Sequence, residues 1–216
     1  SNSCGLYFKL NFMKKQSSNN RSWFFEKDPT HQYAFWHHAF TVKECQKIIT
    51  IGKRLQLNKG LVVEVENNNK SKVMSHKRRD SQVAWMGPNS DTEWIFRRLT
   101  DLIIDLNERF FKFDLFGFQE GCQFTHYKAP GAHYGKHVDT LAGQGVRKLS
   151  VTVQLSDPTT YKGGELYLYA VEEGQKLSAA QGTLLLFPSY ILHEVKPITQ
   201  GERYSLVSWI TGRPVK

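Results

Sequence analysis

Apolar residues recur at helical spacing in the first half of the chain and at every second position in the second half. Val42, Cys45, Ile48, Ile49 and Leu55 share one helical face. Thr41 and Glu44 have the spacing of a capping box, which predicts a helix over residues 41–57. A second helix is predicted from Asp91 or Thr92 to Phe110. Its buried stripe is Trp94, Ile95, Leu99, Leu102, Ile103 and Leu106.

Strands are predicted over residues 33–40, 61–65 and 81–86, with an exposed loop at 67–72. From Gly117 onward the chain reads as strand and turn almost throughout. The pattern implies a mainly β fold with flanking helices, two of them bracing the sheets from the N-terminal half. One domain over 1–216 is expected: a loose segment at 1–20, a supporting region at 21–116 and a core at 117–213.

Composition fits that picture. Hydrophobic residues make up 40% and aromatic residues 13%, with 16 glycines and 7 prolines for the turns of a β architecture. Cys4, Cys45 and Cys122 are odd in number, scattered and without a CxxC pair, so no disulfide framework is expected. A reducing, cytoplasmic setting follows. No apolar run approaches about 18 residues, and the first residues lack a signal-peptide core, so no membrane association is expected.

The formal charge of +9 is densest at Lys70, Lys72, His76, Lys77, Arg78 and Arg79. Such a block can face water, an acidic or peptidic partner, or nucleic acid.

The chemistry lies in His137-Val138-Asp139, with His193 and Arg203 far downstream. Alternate residues of a strand share a face, so His137 and Asp139 can reach one metal while Val138 points away. Two imidazoles and one carboxylate are the ligand set of a non-heme Fe(II) site with open positions. His193 follows the apolar run at 183–188, and Arg203 opens a final strand. A hairpin centred on Ile198 would set His193 opposite Arg203 and put a guanidinium beside the metal. That cation suits the far carboxylate of a dianionic 2-oxo acid.

Four stretches carry a family resemblance: residues 127–139 (YKAPGAHYGKHVD), 149–156 (LSVTVQLS), 163–166 (GGEL), and 186–189 (LFPS) continuing through His193-Glu194-Val195 to 201–205 (GERYS) and Trp209. Here the chain resembles the 2-oxoglutarate- and Fe(II)-dependent dioxygenases, and within them the prolyl 4-hydroxylase-like group that includes PKHD-type hydroxylases. The resemblance covers about the last hundred residues well and the upstream helices more loosely.

The resemblance implies a double-stranded β-helix, a cupin-like jelly roll. It implies Fe(II) on His137, Asp139 and His193, and 2-oxoglutarate on Arg203 with Tyr127, Thr152, Gln154 and Ser205. Tyr134, Trp209 and Arg79 would line the substrate side. O2 is the implied oxidant, ascorbate a reductant, and hydroxylation of a peptidyl proline the implied reaction, with succinate and CO2 released. Glu165 and Glu194 read as structural or substrate-positioning.

Two other readings stay open. The same chemistry could act on a small molecule or on nucleic acid, although the RxNxxxR spacing of AlkB-type demethylases is absent after Arg203. A noncatalytic metal-binding jelly roll is the other.

Overall fold

The computed structural model describes residues 4–5, 31–66, 69–73, 75, 77–140, 146–170 and 172–213. Two antiparallel sheets face each other as a double-stranded β-helix. The larger has nine strands. Its path runs Cys4–Gly5, Ala34–Trp36, Leu184–Pro188, Arg147–Gln154, Glu202–Gly212, Cys122–Lys128, Gln82–Met86 and Asn58–Lys59, with Leu115–Phe118 added on the Glu202–Gly212 strand. The smaller has five: Gln175–Lys176, Leu166–Tyr169, Leu192–Val195, His133–His137 and Arg79–Asp80.

Helix α1 spans Val42–Arg54 and opens with the predicted capping box. The Glu44 backbone N–H donates to Thr41 Oγ1 at 3.2 Å, and the Thr41 N–H donates to Glu44 Oε2 at 2.8 Å. Glu44 also accepts from Arg98 at 3.0 Å, which ties α1 to helix α2, Glu93–Leu106. A π-helical turn at Asn107–Phe111 ends the second helix. Ile95, Leu99, Ile103 and Leu106 are its buried stripe, while Trp94 and Leu102 are half-buried against the same core.

Alternation along the large sheet's strands separates stability from chemistry. Val151, Val153, Leu206, Ile210 and Phe124 point outward and pack with Ile48, Ile49, Ile95 and Leu99 under the helices. Each such side chain contributes about 1.5–3 kcal/mol on burial. The intervening residues Thr152, Arg203, Ser205, Trp209, Thr125 and Tyr127 face the space between the sheets and line a cavity. A period of two forces this division, because neighbouring side chains take opposite faces. The helices lie so close that a Cβ at Gly52 would sit 2.5 Å from the Phe124 ring.

Several local expectations are corrected. The strand expected at 33–40 is confined to Ala34–Trp36 and followed by a turn in which His38 takes φ +55°. The first helix stops at Arg54, because Leu55 is already extended. The loop expected at 67–72 is in part a strand: Asn69–Val73 pairs with Val62–Glu66, so cross-strand pairing outweighs a polar sequence. Asn67 and Asn68 lie outside the described residues. Within the segment expected to be loose, Cys4–Gly5 pairs with Phe35 and Trp36, and the rest of 1–20 is outside the described residues. No helix among the described residues is long and apolar enough to cross a membrane.

The predicted hairpin placing His193 opposite Arg203 does not form. Leu192–Val195 belongs to the small sheet, where His193 pairs with His137. Arg203 belongs to the large sheet, where it pairs with Tyr127. Between them Ile198–Gln200 pairs with Lys162–Gly163. The chain therefore crosses between layers, and the two side chains line one cavity from different sheets rather than pairing along a ladder.

Candidate metal and 2-oxo acid site

His137 ends its strand and stands directly across from His193, with ring centroids 4.1 Å apart. Asp139 lies in a bend beyond the strand end. Its backbone N–H donates to Ser189 O at 2.9 Å, which swings the carboxylate back toward the histidines. Val138 is exposed, as expected. Asp139 Oδ1 is 3.6 Å from His137 Nε2, and Oδ2 is 3.4 Å from His193 Nε2. The three ligand atoms all lie within 4.8 Å of one another.

Hydrogen bonds set the histidine tautomers. His137 Nδ1 is 2.8 Å from Gly135 O and His193 Nδ1 is 2.9 Å from Ile191 O. A carbonyl can only accept, so each Nδ1 carries a hydrogen and each Nε2 is the ring nitrogen turned to the centre. Burial, with His193 close by, pushes the His137 pKa down to about 3, so its ring is neutral. Burial alone would raise the Asp139 carboxyl. The two imidazoles, the Ser150 hydroxyl and the nearby Trp209 indole outweigh it and hold the carboxyl below its ordinary value. The Trp209 N–H nonetheless makes no hydrogen bond of normal geometry among the described residues. The cluster is thus one carboxylate with two imidazole nitrogen donors.

Arg203 is 2% exposed on the wall of the same cavity of about 730 Å³. Its Nη2 donates to Gln154 Oε1 at 2.9 Å, while its buried Nη1 has no partner among the described residues. A desolvated cation with a free donor calls for an anion. Tyr127 lies beneath it, with 5.4 Å between the guanidinium carbon and the ring centroid. Burial raises the Tyr127 pKa, so it remains a phenol that can donate. Thr152 and Ser205 are buried in the same wall.

Residues 122–211 match the 2OG-Fe(II) oxygenase superfamily. A PKHD-type hydroxylase of Prochlorococcus marinus (strain MIT 9515) is 30% identical over 159 residues, covering 73% of this chain and 72% of that protein. The chain belongs to the 2OG-Fe(II) oxygenase superfamily. A PKHD-type hydroxylase of Synechococcus elongatus is 44% identical over 92 residues. That match spans 40% of this chain and only 41% of the Synechococcus protein. Among solved structures, the prolyl hydroxylase of a complex with a hypoxia inducible factor peptide fragment from Trichoplax adhaerens aligns with a TM-score of 0.68. It is 22% identical and covers 84% of each chain.

The residues of this oxygenase-superfamily chain fit the two ligands in the family's name. The donor set is imidazole nitrogen plus carboxylate, which suits Fe(II). The unpartnered Arg203 Nη1 suits the distal carboxylate of 2-oxoglutarate. Every residue singled out for the site from the sequence faces this region except Gln154, which touches it through Arg203.

Tyr134 stacks on His137 at 3.5 Å between centroids. Arg79, 7% exposed, lies 4.4 Å from the Tyr134 centroid and donates to Gln123 Oε1 and Ser81 Oγ, both at 2.8 Å. It is therefore a wall residue and not part of a solvated basic surface. Lys70, Lys72 and His76, the first half of that block, have no described side chains.

Sequence reasoning missed Ser150, Ser189, Arg147, Glu120 and Trp85. Ser150 carried a signal, because the strand alternation that turns Thr152 inward turns Ser150 inward too. Arg147 carried none. It pairs with Glu120 at 2.6 Å and lies 3.9 Å from the Trp209 centroid, contacts with a bend and a strand distant in sequence. Trp85 is half-exposed at the cavity mouth, 6.0 Å from Trp209.

Proposed function

We propose that the protein is a single-domain Fe(II)- and 2-oxoglutarate-dependent dioxygenase that hydroxylates a C–H bond, with a peptidyl proline as the favoured substrate. O2 is consumed, and succinate and CO2 leave. The observation carrying this reading is the co-location of the His137–Asp139–His193 cluster and the unpaired Arg203 Nη1 in one cavity. Residues 117–213 form the catalytic core of the proposal. The buried, unpaired Cys45 and Cys122 support a reducing, cytoplasmic setting.

His137, Asp139 and His193 would hold the iron, which when bound supplies the oxidative chemistry. The protein's own part is placement. The carbonyls of Gly135 and Ile191 hold both rings by Nδ1, with the Nε2 atoms aimed inward. Arg203, held by Gln154, takes the distal carboxylate, and the Tyr127 hydroxyl, Thr152 and Ser205 complete the co-substrate wall. Tyr134, Arg79 and Trp209 border the substrate side and exclude water from it. Exposed Trp85 and Val138 leave apolar surface at the mouth, which suits a ring carried on a polypeptide.

The test is anaerobic binding of Fe(II) and 2-oxoglutarate, then O2 addition and succinate measurement with and without proline-rich peptides. Ascorbate is included as a reductant. Peptide-stimulated succinate is the expected result. Slow, peptide-independent succinate would move the substrate to a small molecule or nucleic acid. Absence of binding by folded protein would leave a noncatalytic jelly roll.

A further inference from the structure

Asp139 accepts a hydrogen bond from Ser150 Oγ to its Oδ2 at 2.7 Å, and Ser150 Oγ is 2.9 Å from Ser189 Oγ. Ser150 is 1% exposed and Ser189 0%. The proton order along this chain follows from chemistry. A serine hydroxyl has one hydrogen, and an ionised carboxylate can only accept. Ser150 must therefore spend its hydrogen on Asp139, so the Ser150–Ser189 bond is donated by Ser189. Donation into Ser150 Oγ polarises its O–H and strengthens the bond to the carboxylate.

Backbone bonds fix both serines. Ser189 N–H donates to Lys148 O at 2.9 Å, and Ser189 O accepts from the N–H groups of Asp139 at 2.9 Å and Thr140 at 3.2 Å. Ser150 also stands in the register of two paired strands, where it faces Phe187 and Leu149 faces Pro188, and Ser189 directly follows that last pair. The hydroxyl pair thus joins the bend that carries Asp139 to the rigid large sheet.

We propose that Ser189 and Ser150 form a one-directional hydroxyl relay that positions the Asp139 carboxylate, loading Oδ2 so that Oδ1 is the oxygen offered to the metal. Ser150 acts directly on the ligand, and Ser189 acts through Ser150. A carboxylate limited to one ligating oxygen leaves coordination positions open for a chelating co-substrate, which a bidentate carboxylate would close. The inference rests on the metal-binding reading of the site.

The test uses Co(II) as the probe, read by its affinity and its d–d absorption, with the melting temperature of each metal-free variant as the fold control. Ser150→Ala should weaken Co(II) binding about 10–100-fold and alter the spectrum, as losing an outer partner of a ligand does. Ser189→Ala should weaken it several-fold in the same direction. The double variant should match Ser150→Ala alone, because a partner that acts only through Ser150 has nothing left to act on. Wild-type affinity and spectrum in folded Ser150→Ala would overturn the proposal, as would losses that add in the double variant. If Ser150→Ala does not fold, Ser189→Ala decides: unchanged affinity and spectrum reject the relay. Wild-type protein that binds no Co(II) would instead sink the functional reading.

Discussion

Arg203→Met should make the metal-free protein more stable while crippling co-substrate binding. The guanidinium is 2% exposed, keeps one hydrogen bond at 2.9 Å, and leaves Nη1 unpartnered among the described residues. Glu165 feels Arg203 electrostatically but forms no ion pair with it, and burying an ion without a paired counter-ion costs several kcal/mol. Methionine fills similar space without that cost. Stranding Gln154 Oε1 takes back about 1 kcal/mol. The net gain is then about 1–3 kcal/mol, read as about 2–4 °C of Tm per kcal/mol for a chain of this size.

Co-substrate binding moves the other way. Losing the partner of a buried charge pair costs about 2–5 kcal/mol, which weakens 2-oxoglutarate roughly 30- to 5,000-fold. Differential scanning calorimetry of the apo protein and anaerobic titration of 2-oxoglutarate into the Fe(II)-loaded protein read the two halves. A 2-oxo acid lacking the distal carboxylate should bind wild type and variant alike. A lower apo Tm would refute the view that Arg203 is a buried cation without an ion-pair partner. Unchanged 2-oxoglutarate affinity would mean that another group holds the distal carboxylate.

Other predictions rest on separate features. Asp139→Ala removes the only anion of the ligand set and should abolish iron-dependent succinate formation; retained turnover would refute the triad. His137, driven down by burial and His193 from an ordinary 6.5 to about 3, binds a proton more readily in the unfolded chain. Apo stability should therefore be full above about pH 6.5 and fall as pH drops toward 3. His126, also lowered by burial, contributes the same sign, so His137→Gln should flatten the decline only in part. Urea midpoints between pH 7 and 4 measure it, and an unchanged slope in the variant rejects the His137 share. Gly52→Ala drives a methyl to 2.5 Å from the Phe124 ring and should destabilise by about 1–3 kcal/mol in urea. A neutral effect would show that α1 shifts freely on the sheet. Burial pushes the Cys45 thiol up to about 11 and the Cys122 thiol up to about 12. Neither should react with a disulfide reagent at neutral pH until the chain unfolds, and fast labelling mapped to either of these two thiols in the native protein would contradict their packing.

The sequence by itself determined whatever depends on neighbours along the chain. The Thr41–Glu44 cap, the α2 stripe and the inward row of Thr152, Arg203, Ser205 and Trp209 follow from periods of 3.6 and 2. The spacing of His137 and Asp139 was legible too, although Asp139 reaches the site from a bend beyond the strand end and not from the strand itself. Only the tertiary structure decided how distant strands meet. His193 and Arg203 are close in sequence and invite a hairpin, yet they sit in opposite sheets. Turn residues alone do not fix pairing where a long core needs two layers. The Ser150–Ser189 pair and the Arg147–Trp209 contact likewise join residues 39 and 62 positions apart. Such contacts arise when packing excludes water and each buried polar atom must find a partner across the fold, a demand that local pattern does not encode.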